Sequence, residues 1–126
     1  MDVQRGSDGD APDLRLAVSY RDDHCVAQVG GVVDAATTSR LVAGLAHPIA
    51  TGVRLLVVDL SEVSVFGSAG VSALMSVRAM ARVDGCRLRL ACCPPTVARV
   101  VALAALRPFR SVAEALAARP VPPPRA

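Results

Sequence analysis

Alternating apolar and polar positions predict the elements in the first half of the chain. These elements are two strands and a helix, at Leu14–Tyr20, Cys25–Val29 and Thr37–Ala46. The two acidic residues Asp22 and Asp23 predict a turn between the strands. We expect the pair Gly30-Gly31 to end the second strand, and Pro48 with Gly52 to close the helix.

A nearly unbroken apolar run, Val53–Leu60, is the strongest feature of the second half. Such a run is typical of a central strand that is buried on both faces. The segment Ser61–Gly67 is expected to be a loop. The remaining elements are predicted in the order helix, strand, helix, short edge strand and helix, at Ser68–Val83, Cys86–Cys92, Thr96–Leu106, Phe109–Ser111 and Val112–Ala118.

The order of these elements predicts the fold class and the domain limits. Alternating strands and helices indicate a single α/β domain, with a mixed, mostly parallel sheet of four or five strands and about four helices. Residues 1–13 are predicted to be a flexible leader, 14–118 the domain, and 119–126 a Pro-rich tail. Function is expected at Leu60–Gly70, where the central strand ends and the next helix begins.

Charge and aromatic content narrow the classes of partner. The chain has 126 residues and a formal net charge of +3, and all 14 of its basic residues are arginine. Six of its 11 acidic residues lie in the first 23 positions, so the rest of the chain is basic. However, the arginines are scattered, and one Tyr and two Phe provide no stacking platform. We therefore expect no nucleic-acid partner; an acidic protein partner, or no specific role for the charge, remains open.

Localisation and metal binding follow from what the chain lacks. Its first residues carry no apolar signal segment, and no apolar stretch reaches the length of a membrane span, so a cytoplasmic protein without membrane contact is expected. Cysteines there are reduced by default. The four thiols, with His24 and His47, lack the spacing of a metal site, so we expect no metal and no cofactor. A redox-sensitive disulfide remains the alternative, joining Cys25 or Cys86 to Cys92 or Cys93.

The segment Val57–Leu74, VVDLSEVSVFGSAGVSAL, resembles the signature of the STAS domain, and in particular of bacterial anti-sigma factor antagonists. That family has a strand ending in Asp-Leu-Ser, a short loop, and Asp-Ser-Ser-Gly-Leu at the start of a helix. Weaker similarities lie at Gly31–Asp34 (the family's Gly-Glu-Leu-Asp loop), at Pro95–Val97 and at Val112–Leu116. The resemblance covers Leu14 to Ala118.

The resemblance implies a non-enzymatic regulator of transcription. Family members bind an anti-sigma factor, often an ATPase-type serine kinase, and so release a sigma factor; phosphorylation of a serine weakens the binding. The motif places that serine at Ser68, with Ala69 at the second Ser position. We also expect a monomer or weak dimer. Two residues depart from the pattern: Gly67 replaces the family's Asp, and Val32 replaces its Glu.

Physical chemistry supports Ser68 independently. A serine near a helix N-cap can accept a hydrogen bond from free backbone N–H groups, and a phosphate there would meet the same groups. The alternative is that Ser68 only caps the helix. The other candidate binding residues are Asp34, Gly67 and Ala69, together with the outward helical positions Ser72, Met75, Ser76 and Ala79. The positions predicted to face the core are Gly70, Ala73, Leu74, Val77 and Ala81.

Two other functions compete with this interpretation. Residues Phe66–Gly70 partly match the Gly-x-Ser-x-Gly turn of hydrolases, but Phe66 stands where that motif needs glycine. The second is a STAS regulatory subunit of a lipid ABC transporter, which would have the same fold and use the same helix face. The absence of an acid at Gly67 favours this second alternative modestly.

Overall fold

A four-stranded mixed sheet forms the centre of the protein. The structure, a computed structural model, describes residues 14–104 and 106–118. The predicted leader (1–13) and the predicted Pro-rich tail (119–126) lie outside the described residues. The strands are β1 (Leu14–Arg21), β2 (His24–Val33), β3 (Leu55–Phe66) and β4 (Arg87–Ala91). The helices are α1 (Thr38–Ala50), α2 (Ser68–Val83), α3 (Pro95–Ala102) and α4 (Val112–Ala117).

The sheet has the strand order β1-β2-β3-β4. Strands β1 and β2 form an antiparallel hairpin, whereas β2–β3 and β3–β4 are parallel pairs. Parallel neighbours need crossover connections, and α1 and α2 provide them. The predicted α/β class, with a mixed, mostly parallel sheet and four helices, is confirmed.

Strand β3 is buried on both faces, as its apolar run predicts. Successive side chains of a strand point to opposite faces. Accordingly, Val58 belongs to the main core, to which α1, α2 and α3 contribute, and Val57 packs with Ala91 and Ala115 of α4 in a second, smaller cluster. The main core is aliphatic; its largest fully buried members outside the sheet are Leu41, Leu45, Ile49, Leu74, Val77 and Val101.

The predicted loop Ser61–Gly67 is wrong, because β3 continues to Phe66. The Gly30-Gly31 pair does not end β2 either, since Gly30 pairs with Glu62 and Gly31 with Val63. Two register shifts in β3 make this extension irregular, so the alternating pattern of the sequence does not predict it. At the first shift, the Asp59 carboxylate accepts the backbone N–H of Ser61 at 2.9 Å.

The bounds of α1 and α3 differ from the prediction by several residues, and α4 ends one residue early, at Ala117. Helix α1 continues through the buried Pro48 to Ala50. It ends where the N–H of Thr51 donates to the carbonyl oxygens of His47 and Pro48, and the N–H of Gly52 donates to that of Ile49. Helix α3 begins one residue early and stops at Ala102, short of the predicted Leu106.

The predicted edge strand Phe109–Ser111 is reduced to a single parallel bridge between Phe109 and Ala91. The predicted helix Ser68–Val83 agrees with α2 at both ends.

Candidate functional site

The candidate site forms where β2 and β3 end beside the start of α2. The backbone N–H of Gly67 donates to the carbonyl oxygen of Val33 at 3.3 Å, which holds the two strand ends together. Gly67 is the N-cap of α2, and Ser68 is its first helical residue. No side chain caps the helix, so the expectation that the Ser68 hydroxyl accepts a capping hydrogen bond is wrong.

The side chain of Ser68 is exposed at this helix start. Among the described residues its hydroxyl has no hydrogen-bond partner, and the first turn of α2 contains no acidic residue. The space beside Gly67 is also unoccupied, because a Cβ added at this residue would meet no atom within 4 Å. A hydroxyl that is exposed and not engaged in internal bonding is available for a partner or for modification.

Gly70 allows α2 to lie close to the strand ends. A Cβ added at Gly70 would come within 2.9 Å of the Phe66 ring and of Val33 Cγ1. The glycine is therefore required by contact between helix and sheet. Helical spacing predicts that Gly70 faces the core, but it does not predict the contact with Phe66 and Val33, which depends on the extension of both strands.

The loop between β2 and α1 is organised by Asp34. One carboxylate oxygen, Oδ1, accepts the backbone N–H groups of Ala36 (2.9 Å) and Thr37 (3.2 Å). The buried Thr37 hydroxyl donates to the carbonyl oxygen of Val32 at 3.0 Å and accepts the N–H of Asp34 at 3.0 Å. Asp34 is half-buried and directly follows Val33. Because Val33 accepts the N–H of Gly67, the Asp34 loop lies beside the start of α2. Thr37 was not predicted as a functional residue from the sequence; an Asp-x-x-Thr spacing before a helix could have indicated it.

The two faces of α2 divide as the helical periodicity predicts. The buried residues of α2 are the five predicted core positions, Gly70, Ala73, Leu74, Val77 and Ala81. The four predicted outward positions, Ser72, Met75, Ser76 and Ala79, are all exposed. Met75 is the largest of these, with 39% of its surface accessible. Ala69 is half-buried beside Ser68. The candidate residues thus lie at the carboxyl ends of β2 and β3 and along the exposed face of α2.

Two cysteines lie in the core and two near the end of β4, and all four are free thiols. Burial, and then the nearby thiol of Cys86, raise the pKa of Cys25 to about 11. Burial, and then Cys92 and Asp59, raise the pKa of Cys93 to about 11. Raised pKa values keep thiols protonated and weakly nucleophilic. The disulfide alternative stays untested.

The histidines lie away from Ser68. His24 pairs with Leu55 at the first residue of β3, whereas Ser68 follows the last. Twelve strand residues at about 3.3 Å each separate the two by roughly 30 Å or more. His47 is in the last turn of α1. Neither imidazole is positioned to act as a base for Ser68, which argues against the hydrolase interpretation.

The described residues contain neither a metal-binding cluster nor a membrane-spanning helix. Among residues 14–104 and 106–118, no group of three or more His, Cys, Asp or Glu side chains is placed to hold a metal ion. In the same part of the chain, every helix is too short or too polar to cross a lipid bilayer.

Comparison with solved structures identifies the same fold in known regulators. The anti-sigma factor antagonist SpoIIAA in its unphosphorylated form is 18% identical, with a TM-score of 0.69 over 80% of this chain and 92% of that one. An anti-sigma factor antagonist from Mycobacterium paratuberculosis is 21% identical, with a TM-score of 0.67 over 84% and 94%. The phosphorylated form of the Bacillus cell fate determinant SpoIIAA is 17% identical, with a TM-score of 0.65 over 80% and 96%.

Comparison with protein families gives a match along most of the chain. The family model described as "Mlab, STAS domain" matches residues 16–111, from β1 to Ser111, the residue just before α4. This range contains the β3–α2 segment and the β2–α1 loop on which the resemblance depended. The protein therefore belongs to the STAS domain family.

Proposed function

We propose that this STAS domain is an anti-sigma factor antagonist. It binds an anti-sigma factor of the ATPase-type serine kinase class in the cytoplasm, and a sigma factor is thereby released. The binding surface consists of the Asp34 loop, the start of α2 and its outward face. The observation that carries the proposal is the exposed Ser68 hydroxyl, which has no hydrogen bond among the described residues and lies at the first residue of α2.

Phosphorylation of Ser68 would regulate this binding. A phosphate adds nearly two negative charges to a surface patch that is neutral around Ser68, Ser72 and Met75. The N–H groups at the start of α2 favour an anion, so the modified helix stays folded while its outer surface changes. SpoIIAA, which shares this fold, has been solved in both unphosphorylated and phosphorylated forms, and this supports a phosphorylation switch on such a scaffold.

A second candidate is a STAS regulatory subunit of a lipid ABC transporter. The specific observation in its favour is Gly67, which leaves Ser68 without the acidic neighbour of the antagonist motif. The matching family description names Mlab and no sigma-factor role. This candidate would use the same helix face, so the identity of the partner distinguishes the two functions.

Purification of the tagged protein from its own cells, followed by mass spectrometry of bound proteins, tests the proposal. We expect an ATPase-type anti-sigma kinase. Recovery of transporter subunits without such a kinase would instead establish the second candidate.

Incubation with that kinase and ATP tests the phosphorylation. We expect a single phosphate on Ser68. Phosphate found only at another residue would refute the role of Ser68, and tight binding without phosphate transfer would make the protein a constitutive binder.

A further inference from the structure

A small pocket opens beside the C-terminal half of α2. Its volume is about 210 Å³. Its walls come from α2, from β4 and from the segment between α3 and α4. The lining residues are Arg78, Leu88, Arg89, Leu90, Leu106, Arg107 and Phe109. Three arginines therefore share a cavity with an apolar floor, and no acidic residue is in the lining.

One of the three guanidinium groups is already engaged. The Nη1 atom of Arg89 donates to the carbonyl oxygens of Ala115 (2.6 Å) and Ala118 (2.9 Å). The same guanidinium lies 5.6 Å from the centre of the Phe109 ring. The two hydrogen bonds hold this guanidinium in place. Burial, and then the charge of Arg87, lower the pKa of Arg89.

The other two cations are not neutralised within the described part of the chain. There, neither Arg78 nor Arg107 forms a salt bridge or a side-chain hydrogen bond. Among the neighbouring helices, α2 and α3 contain no Asp or Glu, and in α4 the carboxylate of Glu114 accepts the backbone N–H of Arg110 at 3.0 Å. The ionisable side chains of α2 and α3 are Arg78, Arg82 and Arg99. Uncompensated positive charge around a partly apolar cavity favours an anionic occupant.

We propose that this pocket receives an acidic side chain of the partner kinase, an inference that rests on the proposed function. Arg78 lies one helical turn beyond Met75, so the pocket continues the proposed binding face. Arginine pairs with a carboxylate through two parallel hydrogen bonds, and such anchors in pockets dominate interface energies. A nucleic-acid strand would need a free aromatic platform, whereas Phe109 already lies beneath Arg89.

Titration calorimetry of the full chain with the purified kinase tests the inference. Arg78→Gln and Arg107→Gln should each weaken binding by about tenfold. Raising NaCl from about 50 to about 500 mM should weaken the parent more than either variant. Arg54→Gln is the matched control, because it removes the same charge at an exposed position just before β3, at the opposite end of that strand from Ser68. It should bind like the parent.

The outcomes separate the two proposals. If the parent does not bind the kinase, the proposed function fails, and this inference fails with it. If the parent binds and both pocket variants match Arg54→Gln in affinity and salt dependence, the inference alone is overturned. Retention of labelled single-stranded DNA by the parent, lost in the pocket variants, would assign the pocket to nucleic acid and also overturn it.

Discussion

Gly67 donates its backbone N–H to the carbonyl oxygen of Val33 at 3.3 Å, and this hydrogen bond joins the ends of two neighbouring strands. Val33 is the last residue of β2, and Gly67 directly follows β3. The bond therefore places the Asp34 loop beside the first residue of α2. Residues more than thirty positions apart in sequence become one surface through this contact.

The first prediction concerns the missing acidic residue. Gly67→Asp should raise the free energy of unfolding by about 0.5–1 kcal/mol, because aspartate caps helices well and glycine is costly to order. The backbone accepts aspartate, since φ of Gly67 is −104° and the added Cβ meets nothing within 4 Å. Urea unfolding measures the change, with Gly67→Ala as the control that lacks the capping oxygen. Equal stability of the two variants would contradict a capping role.

Gly70→Ala should have the opposite effect. Its new methyl group would lie 2.9 Å from both the Phe66 ring and Val33 Cγ1. Overpacking of this kind costs about 1–3 kcal/mol, and the better helix propensity of alanine offsets only part of it. Thermal unfolding should show a clear fall in Tm, while Gly67→Ala, at an open position, should not. A Gly70→Ala protein as stable as the parent would mean that α2 does not pack this closely.

Substitutions of Ser68 should separate binding from modification. Ser68→Glu should weaken kinase binding on the order of 100-fold, because it places a charge where the interface holds a neutral hydroxyl. Ser68→Ala should bind like the parent and accept no phosphate. Isothermal titration calorimetry and mass spectrometry measure the two properties. Full affinity of Ser68→Glu would exclude the start of α2 from the interface.

Met75→Asp tests the outward face of α2. Binding to the kinase should weaken at least about tenfold, because an apolar contact is replaced by a charge in a desolvated interface. The Tm should remain close to that of the parent, since Met75 is 39% exposed. Ala50→Asp, an exposed position at the end of α1, is the control and should leave affinity unchanged. A Met75→Asp variant with unaltered affinity would remove this face from the interface.

Stability should fall at alkaline pH because of the buried thiol of Cys25. Its pKa rises from 9.0 to about 11 in the folded protein. The folded state therefore keeps the proton while the unfolded state loses it, and the stabilisation present below about pH 9 is lost as pH rises toward 11. Cys25→Ala should flatten this decline by up to about 1.4 kcal/mol per pH unit. Urea unfolding of the parent and of Cys25→Ala between about pH 8 and 10.5 measures this difference. A parallel fall in the free energy of unfolding of both proteins would contradict the assignment.

Local pattern alone determined much of this protein. The apolar run of β3, the limits of α2, and its division into five buried and four exposed positions all follow from residue periodicity, which depends on backbone geometry and burial. The α/β class follows from the order of the elements. Ser68 was identified by motif resemblance, and its exposure agrees with that assignment.

Tertiary contacts decided the rest. The extension of β2 through Gly30 and Gly31, and of β3 to Phe66, depends on pairing between distant strands with two register shifts, which no local period encodes. Asp34 became a loop-organising residue only once Thr37 folded back onto Val32. Ser68 is the first helical residue and not the cap, because the carbonyl oxygen of Gly67 accepts the N–H groups of Gly70 and Val71. The arginine pocket unites α2, β4 and the α3–α4 segment, and only packing brings these together.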